Sequence, residues 1–225
     1  MNSDRLCLID PFAHPAKSTL VHDFSPLLGL LGIAELTPDI FAVVAGNYSM
    51  KTPPLTAGSF SVWKVDLRQS DPKVDKTADL TDAAFLNGIV ALNLHAVLIA
   101  DAKLGVVFLL DTYTGKYGIV LGGETMKSTL GGYLYFTNTF AEVLVRVKVD
   151  CEIGKAAGPF HIAAKNLFIT DDFAFAKDGT AFVGGSFSNV VMDISLATTL
   201  GRTWEDRDTI YISTTGGGMV VAIQI

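Results

Sequence analysis

The sequence has no apolar run long enough to cross a lipid bilayer. Hydrophobic residues make up 49% of its 225 residues, but they stand in short runs that glycines interrupt. A transmembrane helix needs about 18 or more consecutive apolar residues. The first ten residues, MNSDRLCLID, also lack the basic and apolar regions of a signal peptide. We therefore expect no membrane association.

Basic clusters and cysteines are also scarce. The formal net charge is −6, and no Lys/Arg cluster is longer than a pair, whereas a nucleic-acid partner needs a basic surface. We therefore expect no nucleic-acid partner and favour a small neutral or apolar molecule. Cys7 and Cys151 are too few for a disulfide framework or a zinc ribbon. We interpret them as structural thiols, with a single bridge between them as the alternative.

Short runs of β-branched and aromatic residues are abundant instead. IFAVVAG, SFSVWKVDL, VFLLD, YLYFTN and TIYIST are examples, and long helical patterns are hard to find. Such runs, separated by glycines and turn residues, are typical of β-strands at even spacing. The sequence therefore predicts an all-β protein of the sandwich, barrel or propeller type.

A repeat is visible in the strands that end in aspartate. These strands end at Asp10, Asp66, Asp111, Asp150 and Asp193, and VVAIQI closes the chain as a sixth strand of this kind. The spacing is close to the ~40–50 residues of a four-stranded propeller blade. We predict one domain over residues 1–225, a six-bladed β-propeller. The first unit, the segment KSTLGG and the segment SLATTLGRTWEDRD are short, so we expect a missing or shortened first blade and missing loops.

The segment FLNGIVALN places Asn87 and Gly88 inside an apolar run. Two interpretations remain open. Asn-Gly between hydrophobic residues is a strong signal for a hairpin turn. Alternatively, the strand starts at a cavity and presents Asn87 to a ligand, since the amide can both donate and accept a hydrogen bond.

Several segments together resemble one known family. FLNGIVAL, VLIADAKLGVVFLLDTYTG, YLYFTNT, DDFAFAKDGTAFVG and DRDTIYISTTGG look like the SMP-30/gluconolactonase/luciferin-regenerating-enzyme family of six-bladed propellers, especially its fungal members. The resemblance implies that the first strand of each blade lines a central channel. It also implies a divalent metal held by a Glu, an Asn and an Asp in the lactonases. Asp171 matches that Asp, but no first-blade Glu is visible, so we expect no metal site and no cofactor.

The resemblance and the strand starts together define the candidate site. Asn87 and Asp171 are the expected catalytic residues. The expected substrate-binding residues are acidic or aromatic and stand near the starts of strands: Glu35, Tyr48, Phe85, Asp172 and Phe173. Because adjacent strand residues point to opposite faces, we expect only one of Asp171 and Asp172 to face the channel. The aromatic residues have an alternative role in the core between blades.

Three functions remain open. The first is a metal-independent cyclase or pericyclase of fungal secondary metabolism, similar to hetero-Diels-Alderases, that binds small apolar intermediates in the channel. The second is a metal-dependent lactonase or esterase, and the third is a binding protein without catalysis. Asn47 begins an N-x-S sequon, Asn47-Tyr48-Ser49, which predicts glycosylation if the chain is secreted. The sequence leaves both the localisation and the oligomeric state open.

Overall fold

The structure is a computed structural model. It describes residues 4–10, 12–49, 55–122, 128–130, 132–138, 141–167, 170–176, 178–185, 190–195, 209–213 and 220–224. For residues 128–130, 171, 209–213 and 220–224 it describes the backbone alone. The chain divides into two compact units, Met1–Gly123 and Glu124–Ile225. Each unit is described separately below.

The first unit contains three antiparallel sheets in chain order. The strands of the first sheet are β1 (Arg5–Asp10) and β2 (Lys17–Asp23). The second sheet contains β3 (Gly29–Thr37), β4 (Ile40–Gly46), β5 (Phe60–Asp66) and β6 (Lys73–Leu80). The third contains β7 (Leu86–Asn93), β8 (Ala96–Asp101), β9 (Val106–Asp111) and β10 (Tyr117–Gly122).

The second unit also contains three antiparallel sheets. Its first sheet contains β11 (Ser128–Leu130), β12 (Tyr133–Asn138), β13 (Val143–Val149) and β14 (Ala156–Lys165). The next contains β15 (Thr170–Phe175), β16 (Thr180–Gly185) and β17 (Val191–Ser195). The last contains β18 (Thr209–Ser213) and β19 (Val220–Gln224).

The all-β prediction is confirmed, since the described residues form strands and no helix. Among the described residues, six sheets follow one another in sequence order, one for each predicted blade. The shortened segment KSTLGG carries only the three-residue strand β11. The segment SLATTLGRTWEDRD lies largely outside the described residues. The prediction of a single domain over residues 1–225 stays a prediction.

The repeated aspartates have a structural cause. Asp66 and Asp111 end the third strands of their sheets, and Asp150 directly follows another third strand, β13. Asp193 differs from this prediction, because β17 continues for two more residues to Ser195. Aspartate is favoured at such strand ends because its short side chain can accept hydrogen bonds from the backbone of the following turn.

A D-x-x-x-G turn occurs three times, at residues 101–105, 111–115 and 150–154. In each turn one carboxylate oxygen accepts hydrogen bonds of 2.8–3.1 Å from the N–H groups two and three residues further on. The backbone N–H of the final glycine donates to the aspartate carbonyl at 2.8–2.9 Å. These glycines have φ of 65° to 71°, a conformation that residues with a Cβ rarely adopt. The turn therefore requires both end residues of the motif.

Hydrophobic side chains between successive sheets form the cores. In the first unit the largest cluster joins the second and third sheets and includes Val44, Phe60, Leu86, Ile99 and Phe108. In the second unit a cluster of Tyr135, Leu144, Leu167, Ala181 and Val183 joins the sheet of β11–β14 to the sheet of β15–β17. Each fully buried large apolar side chain contributes about 1.5–3 kcal/mol relative to its exposed state. Face-to-face packing of this kind is expected between propeller blades.

The cysteines differ from the prediction. Cys7 and Cys151 are both exposed, and neither is part of a disulfide. The description of both as structural thiols is therefore wrong, and so is the alternative of a bridge between them. All side chains of β1 except Leu6 are exposed, so Cys7 lies on the surface of the two-stranded sheet.

Candidate functional site

The first strands of three sheets carry a β-bulge at the same position. The strand pairs β3–β4, β7–β8 and β15–β16 share one register, in which two residues of the first strand stand opposite a single residue of the second. The bulged residues are Leu31-Gly32, Asn87-Gly88 and Asp171-Asp172. Bulges are frequent next to functional sites, where they change the direction of a side chain. The structural repeat therefore makes the two predicted catalytic residues, Asn87 and Asp171, equivalent.

The hairpin interpretation of Asn87-Gly88 is wrong. Asn87 is the second residue of β7, and both residues lie between the pairs Leu86–Asp101 and Ile89–Ile99. The hairpin turn between β7 and β8 instead lies at Leu94 and His95, where the side chain of Asn93 accepts a hydrogen bond from the His95 N–H at 2.9 Å. Neither residue has the positive φ that Asn-Gly hairpin turns require, so the pair forms a bulge within the strand.

The strands β3 and β7 approach each other closely at two of these bulges. A Cβ atom built on Gly32 would lie 2.5 Å from the backbone oxygen of Asn87 and 3.0 Å from the backbone nitrogen of Ile89. Real Cβ atoms do not approach backbone atoms this closely, so only glycine fits at position 32. The bulges at Leu31-Gly32 and Asn87-Gly88 are therefore neighbours in space.

A buried carboxylate holds the chain that leads into β7. Asp101 is fully buried, and its side chain accepts hydrogen bonds from the N–H groups of Ala84 at 2.6 Å and Phe85 at 3.1 and 3.2 Å. The same carboxylate accepts from Lys103 and Leu104 in the D-x-x-x-G turn. The N–H of Ala102 donates to the Phe85 carbonyl at 2.8 Å. Asp101 thus ties the turn after β8 to the two residues that precede Leu86.

Tyr48 and Phe85 form an aromatic pair beside this strand start. Their ring centroids are 4.9 Å apart with an interplanar angle of 44°, and Phe85 also lies 6.2 Å from the ring of the buried Phe60. Tyr48 and Phe85 are both half-buried. The structure therefore brings these two predicted substrate-binding residues together, and Phe85 also fills the role in the core that was the alternative.

Glu35 lies at the other end of β3. Its carboxylate accepts a hydrogen bond of 3.2 Å from the N–H of Asp39, which has φ of 63° in the turn between β3 and β4. Glu35 therefore stabilises this hairpin turn, three residues beyond the bulge at Leu31-Gly32. Its role in substrate binding stays a prediction.

Asp171 and Asp172 lie in the bulge of β15, in the second unit. The side chain of Asp172 is exposed, and that of Asp171 lies outside the described residues. The expectation that the two side chains point to opposite faces assumed regular alternation, which a bulge interrupts. Both residues therefore remain candidates for the site.

Phe173 follows this bulge and packs against the core of the second unit. Its ring lies 5.5 Å from that of Phe175, which in turn lies 4.9 Å from the ring of the buried Tyr135. These contacts correspond to the alternative interpretation of the aromatic residues as core between blades. Substrate binding by Phe173 stays a prediction.

The predicted glycosylation residue Asn47 directly follows β4 and is half-buried. Its N–H donates to the Ser59 hydroxyl at 3.0 Å, and its carbonyl accepts from the Thr56 N–H at 3.3 Å. These two bonds join the ends of the loop between β4 and β5. The backbone of Asn47 is thus held in place by hydrogen bonds on both sides. Glycosylation of its side chain stays a prediction.

The part of the chain that the structure describes contains no group of three or more His, Cys, Asp or Glu side chains placed to hold a metal ion. The side chain of Asp171 is outside that part. The absence of a metal site therefore stays a prediction. No helix in the described residues has the length and apolarity to cross a membrane.

Comparisons with known proteins decide the fold. No protein-family model matches the chain, and no curated protein matches it. Among solved structures it is similar to a chain of a nidogen/laminin complex, with a TM-score of 0.72 and 12% identity over 99% of this chain and 87% of that one. It is also similar to the β-propeller domain of Myceliophteria thermophila Cps50 (Swd1), with a TM-score of 0.50 and 11% identity over 99% and 94%. The fold is a β-propeller.

A third similar structure is regucalcin, a calcium-binding protein from Agrobacterium tumefaciens. The TM-score is 0.54 and the identity 14%, over 83% of this chain and 62% of the regucalcin chain. Regucalcin belongs to the SMP-30 family, to which the sequence motifs pointed. At this level of identity the likeness establishes the propeller fold and leaves the activity to be argued from the site.

Sequence reasoning missed Asp101 and Gly32. Asp101 stands in the repeated D-x-x-x-G motif and was hidden because it ends a second strand, whereas the repeat was defined by third strands. Gly32 follows a leucine in LLGIAEL. Alignment of that segment with LNGIVAL would have identified the shared glycine and isoleucine of the two bulges.

Proposed function

We propose that this propeller is a metal-independent enzyme that binds small apolar molecules at the bulged strand starts and orients them for cyclisation or cycloaddition. The observation that carries the proposal is that the carboxylate of Asp101, next to the start of β7, is already bound by backbone groups. Four backbone N–H groups, those of Ala84, Phe85, Lys103 and Leu104, donate to this carboxylate. The Asn87 amide and the Tyr48–Phe85 pair are then the groups offered to a ligand, a set that suits binding and orientation better than proton transfer.

A hetero-Diels–Alder reaction suits such a site because it needs no proton transfer. An ortho-quinone methide reacts through its C=C–C=O system with the C=C bond of an alkene. One C–C and one C–O bond form, and the three π bonds rearrange without a leaving group or an oxidant. Holding both reactants in the reactive geometry can lower the barrier by several kcal/mol. A hydrogen bond from the Asn87 amide to the quinone-methide oxygen would strengthen as negative charge develops there.

The test is product formation from an ortho-quinone methide generated in solution and a terpene alkene. We expect acceleration over the background reaction and an excess of one enantiomer. Asn87→Ala should lower turnover by about 10- to 100-fold, which corresponds to about 1–3 kcal/mol of lost hydrogen bonding. Asp171→Asn should be milder, because the amide keeps an acceptor oxygen. A racemic product at the background rate would reject the proposal.

Lactone hydrolysis is the second candidate, favoured by the likeness to regucalcin and by the position of Asp171 in a bulge equivalent to that of Asn87. Water would attack the lactone carbonyl, the ring C–O bond would break, and a hydroxy acid would form. The same protein should be assayed on simple lactones with and without added Ca²⁺ or Zn²⁺. Hydrolysis that the cation stimulates and that Asp171→Asn abolishes would establish this function in place of the first.

A further inference from the structure

We infer that Asp101 is a positioning residue for Asn87, an inference that deepens the proposed function and rests on it. Its carboxylate binds the N–H groups of Ala84 and Phe85, and in the β7–β8 register Asp101 itself pairs with Leu86, the residue before Asn87. The bulge at Asn87-Gly88 begins directly after this pair. The carboxylate therefore fixes the backbone from which the Asn87 amide projects.

The structural repeat shows that the bulge itself does not require a carboxylate. The residues equivalent to Asp101 in the other two bulged sheets are Ala45, which pairs with Leu30, and Gly185, which pairs with Thr170. Both of those sheets form the same bulge in the same register without a side chain that could accept a hydrogen bond there. Asp101 is thus specific to the sheet that carries Asn87.

The carboxylate also forms more bonds than its turn needs. In the turn at residues 111–115, Asp111 accepts from the N–H groups of Tyr113 and Thr114 and from the Thr114 side chain, all within the turn, and the turn has the same conformation. Asp101 makes the equivalent bonds to Lys103 and Leu104 and adds those to Ala84 and Phe85. These additional bonds reach across to the site, since Phe85 stacks with Tyr48. Burial of a carboxylate destabilises the folded state unless hydrogen bonds compensate for the lost water, so each of these backbone bonds matters for Asp101.

The experiment compares Asp101→Asn with the matched control Asp111→Asn. Both variants remove one negative charge from a D-x-x-x-G turn, but only the first loses an acceptor for the chain before β7. In ¹⁵N–¹H spectra, the side-chain amide signals of Asn87 are identified by their loss in Asn87→Ala. We expect them to shift in Asp101→Asn and to stay in place in Asp111→Asn. Hydrogen exchange of the Ala84 and Phe85 amides should become about tenfold faster in Asp101→Asn alone.

The kinetic measurement uses the ortho-quinone methide and alkene pair. We expect kcat of Asp101→Asn to fall by about tenfold or more while KM changes little, because misplacement of a positioned group affects the transition state more than ground-state binding. Asp111→Asn should keep both constants. If Asp101→Asn does not fold, Asp101→Glu keeps the charge, moves both oxygens by one methylene group and is measured in the same way.

The outcomes separate this inference from the proposed function. Unshifted Asn87 signals in the Asp101 variant, or a parental kcat, would overturn the positioning role even if the parent protein is an active cyclase. An inactive parent protein would reject the cyclase reaction. The Asn87 signals and the exchange of Ala84 and Phe85 would then decide the positioning role by themselves.

Discussion

Asp101 and Asp111 occupy the same position of the same turn, but they differ in what surrounds them. Asp101 is fully buried, and the N–H of Ala84, one of the groups that it binds, is in the protein interior. The residues that Asp111 binds, Tyr113 and Thr114, are exposed. Water can replace the Asp111 carboxylate as an acceptor and has no access at Asp101. The two aspartates are therefore expected to differ in their effect on stability.

We predict that Asp101→Ala lowers the free energy of unfolding by about 2–5 kcal/mol. Besides the N–H groups of Lys103 and Leu104 in the turn, those of Ala84 and Phe85 lose their acceptor, and each buried unsatisfied group costs about 1–3 kcal/mol. Urea unfolding followed by far-ultraviolet circular dichroism measures this change. Asp111→Ala is the control and should lose clearly less. If the free energy of unfolding fell equally in the two variants, the burial of Asp101 would not contribute to stability.

A second prediction at the scale of the residue concerns Gly32. Gly32→Ala should destabilise the protein by about 1–3 kcal/mol, because the new Cβ would meet the backbone oxygen of Asn87, which cannot move as a flexible side chain would. Gly118→Ala is the matched control, since a Cβ on this strand residue would have no atom within 4 Å. The control should be neutral or up to about 1 kcal/mol more stable. The urea midpoints of both variants test this, and an unchanged Gly32→Ala midpoint would contradict the close approach of β3 and β7.

At the scale of the element, the turns predict the behaviour in acid. Hydrogen bonds from the Thr114 and Tyr113 N–H groups hold the pKa of Asp111 below its ordinary value of 3.8, and bonds from Thr180 do the same to the pKa of Asp178. The Arg68 side chain lowers the pKa of Asp66 to about 2. Because these pKa values are lower in the folded state, the unfolded chain takes up protons first as the pH falls. The contribution of these three carboxylates to the free energy of unfolding is therefore present above about pH 4 and is lost as the pH falls further, for Asp66 down to about pH 2.

The measurement is the urea midpoint from pH 7 down to pH 2. We expect these groups to cause no change of the urea midpoint between pH 7 and pH 5. Below pH 4 the midpoint should decline. Asp111→Asn keeps an acceptor oxygen for the turn but cannot titrate, so its midpoint should decline less steeply in acid. An identical acid profile in the variant would show that the Asp111 hydrogen bonds do not contribute.

Strands could be predicted from the sequence, whereas their bulges could not. IFAVVAG and VFLLD identify β4 and β9 because β-branched and aromatic residues favour strands whatever their partner. A bulge depends on which residue of a second strand stands opposite, and a single strand carries no such information. Asn87-Gly88 was therefore open to a turn or a ligand site. The position of Asp171 could be predicted from the family resemblance, but its equivalence to Asn87 required the paired register.

At the scale of the whole molecule, the six predicted blades correspond to six sheets of a β-propeller. This could be predicted because the unit repeats along the chain, and a repeated unit is visible without any knowledge of contacts. The hydrogen bond from the Ala84 N–H to Asp101 could not be predicted, since these two residues are brought together only when β7 and β8 pair. Almost every residue type carries a backbone N–H, so the sequence does not show which of these groups will donate to a distant side chain.

The prediction of a single domain can be tested by unfolding. The chain has two tryptophans, Trp63 in the first half and Trp204 in the second. Trp204→Phe leaves fluorescence from Trp63, and Trp63→Phe leaves fluorescence from Trp204. In each variant we expect the fluorescence and circular dichroism transitions to coincide, because a single domain unfolds cooperatively. Separate transitions within one sample would instead identify two independently folding domains.

The bulges have a consequence for how such a protein could change its chemistry. A bulge adds one residue to a strand, and pairing resumes on both sides, so the bulged residues contribute little to the ladder that holds the sheet. Gly32 is an exception because of its close contact with β7, and Leu31 is another because it packs against the core of the first unit. A library randomised at Asn87 and Asp171 should therefore contain many folded members with different ligand preferences. Directed evolution of this scaffold can begin there at little risk to the fold.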